Sequence, residues 1–329
     1  MKNKSSILQT VNRRSEFIPF IGLVLLVILM SLMIDNFFAW QTFVNISRQV
    51  SVNAIIAAGM TFVILTGGID LSVGAVMAFA GTILAGIIIY FTPGVKEGDV
   101  SLTTALILGW LGALFIGISC GAFSGFFVSR FGLPAIIVTL AVMTAVRGVG
   151  LTYTGGYPMP MSRIFSALGR SEFLSIPIPA WIMFAVYILS YLLLNKFRLG
   201  RYIYAVGGNE DAAILSGIRT KWIHFFVYSY CGFTAAIAGI ISTSRVSSGQ
   251  PASGEGFELD AIAAVVLGGT SIMGGRGSVI GTLIGAFILG VLNTGLNIWG
   301  VPPYPQRIIK GSIILGAVLI SVFQKQSKK

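Results

Sequence analysis

Asp70 lies in Gly67-Gly68-Ile69-Asp70-Leu71-Ser72-Val73-Gly74, an ionisable side chain set between two strongly apolar runs. A charge beside hydrocarbon costs roughly 2.5 to 3.5 kcal/mol on insertion scales, so it needs a partner or a purpose. Three purposes are open: capping first-turn N–H groups of the following helix, gating or a cytoplasmic contact, and a proton or cation site. Asp260, in Glu258-Leu259-Asp260-Ala261, carries the same ambiguity. Asn53, Thr61, Thr66, Asn293 and Asn297 are uncharged donors and acceptors, suited to lining a path for a hydroxylated solute. Asn293 and Asn297, four apart, share one helix face. Each of these residues is also suited to hydrogen bonding between helices.

Catalysis has little to work with. His224 is the single histidine, which excludes a histidine metal site, and no metal is expected. No serine or cysteine nucleophile has a histidine base beside it, a remote pairing with His224 aside. The chain lacks G-x-x-x-x-G-K-[ST], so it does not bind nucleotide in the P-loop manner. GGRGSVIG (274–281) resembles a dinucleotide fingerprint only superficially, because it falls between two membrane spans. No cofactor is expected.

The elements that must position these residues are membrane helices. The chain is 55% hydrophobic and 10% charged, against about a quarter charged in a soluble protein. Apolar runs long enough to cross about 30 Å of hydrocarbon predict an all-α polytopic membrane protein. It reads as one transmembrane domain over 1–329, without a linker that would separate domains. About ten spans are expected: 17–34, 50–66, 71–91, 102–128, 135–154, 179–195, 223–243, 259–272, 279–299 and 307–323. The first reads as a retained span rather than a signal peptide, being long and followed by no small-x-small site.

With both termini cytoplasmic, fourteen cations fall inside: Lys2, Lys4, Arg13, Arg14, Arg130, Lys196, Arg198, Arg201, Arg219, Lys221, Arg276, Lys325, Lys328 and Lys329. Eight fall outside: Arg48, Lys96, Arg147, Arg163, Arg170, Arg245, Arg307 and Lys310. Asp35, Glu97, Asp99, Glu172, Glu255 and Glu258 balance most of the outer set. Lys and Arg resist translocation, so the net charge of +11 reflects orientation and not a nucleic-acid footprint. Cys120 and Cys231 sit inside apolar runs and read as small buried hydrophobes without a disulfide.

Gly109, Ala113, Gly117, Gly121 and Gly125 recur every fourth residue, as do Gly277, Gly281 and Gly285. Such stripes let helix backbones approach closely, where van der Waals contact replaces the missing hydrophobic drive. LTGGIDLSVGAVMAFAGTILAG (65–86) and LGGTSIMGGRGSVIGTLIGA (267–286) are faint echoes of one another. Each places Gly-Gly at the end of one span and Gly-Thr inside the next, as duplicated transporter halves do. Two polar stretches, 155–178 and 244–258, are expected to form much of the outer mouth and to suit docking of a delivery protein.

Residues 196–221, KFRLGRYIYAVGGNEDAAILSGIRTK, are polar and bounded by Lys and Arg. Asp211-Ala212-Ala213 followed by Gly217 makes an acidic-Ala-Ala-x-x-x-Gly pattern. Small Ala212 and Ala213 would permit close docking and Leu215 would offer an apolar anchor. Such a cytoplasmic segment is a surface for another protein to grip, which suits a channel driven by a separate engine.

GMTFVILTGGIDLSVG (59–74), RLGRYIYAVGGNEDAAILSGI (198–218) and ELDAIAAVVLGGTSIMGGRG (258–277) closely resemble the ribose-type permeases of bacterial ABC importers. NTGLNIWGV (293–301) and QRIIKG (306–311) fit as well, so the likeness runs from about residue 35 to the end. The resemblance implies a homodimeric permease of the bacterial inner membrane. An ATPase subunit with two fused nucleotide-binding domains would lie below, and a periplasmic sugar-binding protein above. It also implies ribose as the first choice of solute, with other monosaccharides behind it. By position, Gly208, Asn209, Asp211, Ala212, Ala213, Ser216 and Gly217 fall in the family's ATPase-coupling segment. The motif usually begins with Glu, so Asp211 departs from it while keeping the charge. Two alternatives remain beside the importer: an ion-coupled secondary sugar transporter using Asp70, and a membrane-embedded enzyme, which the lack of nucleophiles and histidine clusters disfavours.

Overall fold

A computed structural model of the chain describes residues 3–35, 37–92 and 100–326. Lys2, Lys96, Glu97, Asp99, Lys328 and Lys329, used in the charge balance, lie outside the described residues, as do the side chains of Lys4, Arg13, Arg14, Arg163 and Lys325. The apolar runs are helices because a helix satisfies its backbone polar groups within one segment, as hydrocarbon demands. In order these are α1 (Asn3–Met33), α2 (Trp40–Leu65), α3 (Val73–Phe91), α4 (Val100–Phe131), α5 (Ala135–Thr154), α6 (Ala167–Arg170) and α7 (Ile178–Asn195). Then follow α8 (Arg198–Gly208), α9 (Glu210–Leu215), α10 (Thr220–Val246), α11 (Phe257–Leu267), α12 (Val279–Ile298) and α13 (Pro303–Gln326).

Among the described residues, eight helices are long and apolar enough to cross a membrane: α1 to α5, α7, α10 and α12. α13 covers the tenth expected span. The eighth expected span, 259–272, is instead α11, 11 residues long, or about 16 Å at 1.5 Å per residue. It stops where Gly269 adopts φ +85°. α2 begins ten residues earlier than expected, because Gln41, Asn45, Arg48 and Gln49 interrupt its apolar run without interrupting the helix.

α2, α3 and α10 form the buried centre, while α1, α4 and α5 leave most of their apolar side chains outward, toward lipid. α4 lies along α10 through the glycine stripe. A Cβ on Gly117 would strike Ala236 and the Gly232 carbonyl, and one on Gly121 would strike the Tyr228 carbonyl. α7 is tied to the centre by the Tyr187 hydroxyl donating to the Ala54 carbonyl at 2.9 Å, and by Ser190 with Tyr230 at 2.7 Å.

The chain between α2 and α3 doubles back inside the bundle. Gly68 lies against the Tyr228 hydroxyl, and Gly239 packs on the Met77 backbone. Tyr228 stands about 12 Å along α10 from its start, so Gly68 and Asp70 are buried inside the bundle, while Gly67 at the start of the break is exposed beside α9. The sequence echo is realised here as one repeated closure. Gly67 N–H donates to Ile64 (2.9 Å) and Gly68 N–H to Val63 (3.1 Å); Gly269 N–H donates to Val266 (2.9 Å) and Thr270 N–H to Val265 (3.2 Å). Both are the paired bonds of a left-handed glycine cap, which satisfy the last carbonyls of a helix. The two breaks meet where Gly275 N–H donates to the Leu65 carbonyl at 2.9 Å.

At the opposite end, β1 (Met159–Pro160) pairs antiparallel with β4 (Ser248–Gly249), and β2 (Glu172–Phe173) with β3 (Ile176–Pro177). The 244–258 stretch meets the 155–178 loop through β4 as expected at the mouth, but its later part does not stay there. It descends along α3, with Gly249 against Thr82 and Ala85 and Gly254 against Gly74 and Met77. Arg147 on α5 holds it there, donating to the Pro251 and Ser253 carbonyls, each at 2.6 Å. Small residues allow that approach, and the guanidinium satisfies carbonyls that lie away from water.

Gly121→Leu is expected to cut the yield of monodisperse protein in mild detergent to less than half, since overpacking costs about 1–3 kcal/mol and here faces backbone. Gly148→Leu, where a Cβ meets nothing within 4 Å, is the matched control. Equal yield and melting temperature for the two variants would refute the packing role of the α4–α10 stripe.

Candidate functional site

The α8–α9 element is positioned by its apolar face. Ile203 and Val206 are buried while Arg198 and Arg201 face out. The Tyr204 hydroxyl donates to the Gly277 carbonyl at 2.9 Å. Burial, and after it the Glu16 carboxylate, pushes this phenol up to about 12, so it stays a donor at neutral pH. Glu16 itself accepts from the Ser278 hydroxyl, which in turn caps α12 by accepting from Gly281 N–H at 2.9 Å. Gly207 presses on the end of α2, where any side chain would run into the Leu65 carbonyl.

α8 ends at Gly208, and Asn209 turns the chain in extended conformation. Its Oδ1 accepts from Ala212 N–H at 3.0 Å, capping α9. Glu210 and Asp211 fill the first turn, where the positive helix end favours acids. Gly217 N–H donates to Ile214 (2.9 Å) and Ile218 N–H to Ala213 (3.0 Å), the same closure that ends α2. The Ser216 hydroxyl donates to the Ala212 carbonyl at 2.8 Å.

Ala212 and Ala213 do not both face outward, as close docking on both would require. Ala213 is 4% exposed and joins the chain's own core, whereas Leu215 is 89% exposed and Asp211, Ala212 and Ile214 also face out. Successive residues on a helix turn by about 100°, so one alanine seats α9 and the other leaves it free. Glu210 Oε1 lies 3.1 Å from His224 Nε2, tying α9 to α10 across 14 residues. That pair was illegible from spacing alone. Beside Leu215's helix, a depression of about 480 Å³ is lined by Leu199, Tyr202, Ile218, Arg219, Trp222 and Ile223.

The polar residues within the bundle separate into two groups. Thr61 donates to the Ala57 carbonyl (2.7 Å) and meets Thr282 at 2.9 Å, and Thr66 donates to Val63 (2.8 Å). Asp70 accepts from Ser72 N–H at 2.9 Å and from the Ser72 hydroxyl at 2.6 Å, both at Oδ1. It thus holds the turn two residues before α3 rather than capping first-turn N–H groups, because Ser72 occupies the cap position. Asp260 pairs with Lys310 at 3.3 Å, joining α11 to α13.

The second group keeps free valences. Asn53 and Asn293 each have a buried amide oxygen without a hydrogen-bond partner. Asn297 accepts from Gln306 at 2.8 Å, and Gln49 accepts from Thr294 at 3.1 Å. Gln49 and Gln306 were missed by hydropathy, although the four-residue spacing of Gln41, Asn45, Gln49 and Asn53 is a visible signal. Among the described residues, no group of three or more His, Cys, Asp or Glu could hold a metal.

The family described as "Branched-chain amino acid transport system / permease component" matches residues 42–320. The chain is 47% identical over 305 residues to the ribose import permease protein of Escherichia coli (strain K12), covering 91% of each chain. It is 45% identical over 327 residues to the ribose import permease protein of Bacillus subtilis (strain 168), covering 96% of this chain and 98% of that one. Identity to the L-arabinose transport system permease protein of Escherichia coli (strain K12) is 34% over 308 residues, covering 91% and 88%. No solved structure matches the chain.

Gly207→Val is expected to lift α8 off the end of α2 and to speed tryptic cleavage at Arg198, Arg201, Arg219 and Lys221 several-fold, because local opening governs proteolysis. An unchanged cleavage rate in folded protein would show that this contact does not seat the element.

Proposed function

The chain belongs to the family of branched-chain amino acid transport system permease components, and on that premise we propose that it is the permease subunit of an ATP-driven importer whose solute is ribose. It is a multi-pass membrane protein and a transport component, not an enzyme. The observation that carries the solute is the greater identity to ribose import permeases than to the arabinose permease, over nearly the whole length. The bacterial inner membrane is its proposed site, with the α8–α9 end in the cytoplasm.

The proposed partners are an ATPase with two fused nucleotide-binding domains beneath α9, a periplasmic sugar-binding protein at the opposite end, and a second copy of this chain. Gly208, Asn209, Asp211, Ala212, Leu215, Ser216 and Gly217 form the exposed coupling surface, and Ala213 anchors it. Leu215 and the neighbouring apolar depression suit insertion into, and acceptance of, a partner's side chains. ATP binding closes the nucleotide-binding domains and displaces α9. Gly207 passes that displacement to the Leu65 carbonyl, where the two helix breaks join. The two copies then rock between outward and inward openings, and the sugar crosses between them.

The cluster around Asp70 supports this reading over ion coupling. One oxygen of its carboxylate is engaged by both donors of Ser72, as befits a turn rather than a site that exchanges ions.

Purification from native membranes in mild detergent should bring down a tandem-P-loop ATPase, and vesicles holding the complex should accumulate ribose only with ATP and the binding protein. Ribose uptake driven by a proton gradient in the chain alone would overturn the importer. Leu215→Asp is expected to lower ATP-driven uptake about tenfold, the loss of one anchoring contact in a docking surface, without changing folded yield. Unaltered uptake would remove Leu215 from the coupling surface.

A further inference from the structure

We infer that Gln41, Asn45, Gln49 and Asn53 on α2 form one wall of the outer half of the solute path and select a neutral, hydroxyl-rich solute. The inference rests on the permease reading above and deepens it. The four amides recur every fourth residue and span twelve residues, or about 18 Å of the roughly 30 Å hydrocarbon thickness. A step of four turns a helix by about 40°, so they make a shallow winding band.

Gln41, Asn45 and Gln49 are exposed in this chain, and Asn53 at the inner end is half-buried with an unpartnered oxygen. α12 continues the band: Thr294 reaches Gln49, and Asn293 holds a second unpartnered oxygen. Against lipid each amide would forfeit hydrogen bonds at a cost of several kcal/mol. This face therefore looks onto water or onto a second copy across a wet gap. From Ala54 to Thr66 every residue of α2 and its cap is buried, so the band opens only at the end away from α8 and α9.

The band carries no free charge. Arg48, the cation on this half of α2, is paired with Glu172 at 2.8 Å. Amides present donors and acceptors together, as a sugar's hydroxyls do. A zwitterionic amino acid, the solute class in the family's description, would instead leave an ammonium and a carboxylate without counter-charges.

Location is tested by thiol labelling in membranes holding the whole complex, with the parent chain as background. Asn45→Cys, Gln49→Cys and Asn53→Cys should react with a charged, membrane-impermeant thiol reagent about tenfold faster than Phe43→Cys, since only a hydrated thiol ionises readily. Phe43 lies about 200° around the helix from Asn45. Labelling of Gln49→Cys and Asn53→Cys no faster than Phe43→Cys overturns the wall. Selection is tested by uptake: Gln49→Leu with Asn53→Leu should lose about tenfold of ribose uptake, as expected where two hydrogen-bonding groups facing the solute are removed, while Asn53→Gln retains it. Uptake in the double variant within a factor of two of the parent overturns the selective role. If the parent complex carries an amino acid and not ribose, the solute class falls, and the labelling still decides the location.

Discussion

The Leu65 carbonyl is the point on which the architecture turns. It is the last residue of α2, it accepts from Gly275 N–H at 2.9 Å, and Gly207 lies directly on it. Three segments distant in sequence therefore meet at one backbone oxygen: the α2–α3 break, the α11–α12 break and the α8–α9 element. Side chains larger than hydrogen would force them apart. A junction made of backbone is stiff, so displacement of one segment is felt by the other two.

That junction exists because broken helices in hydrocarbon must satisfy their own ends. Gly67 and Gly269 close α2 and α11 with the same pair of bonds, Thr139 donates to the Ile69 carbonyl at 3.2 Å, and Asp70 binds the Ser72 N–H. The polar residues around the breaks thus complete the backbone's hydrogen bonding. The amides on α2 and α12 are different, since two of their oxygens lack partners within the chain.

Much of this was legible beforehand, and the failures have physical causes. The glycine period of four in 109–125 foretold a close helix contact, and Gly117, Gly121 and Gly125 do meet α10. The coupling segment stood out by its polarity, yet adjacency said nothing about rotation, so Ala213 was grouped with Ala212 although it faces the core. Hydropathy placed the start of α2 too late because it averages over residues, whereas a helix needs only backbone continuity through Gln41 to Gln49. The 244–258 stretch reads as a mouth loop because it is polar, and β4 does pair with the other outer loop; Arg147, a hundred residues away, holds Pro251 and Ser253 inside.

The sequence by itself determined the class, the approximate helices and the family, because long apolar runs, glycine periods and contiguous motifs are local properties of the chain. The depth of Asp70, the meeting of the breaks at Leu65, the division of Ala213 from Leu215 and the band of α2 amides were decided by tertiary structure. Each depends on which residue of a distant helix lies opposite, and that is set by packing around a shared core rather than by any pattern along the chain.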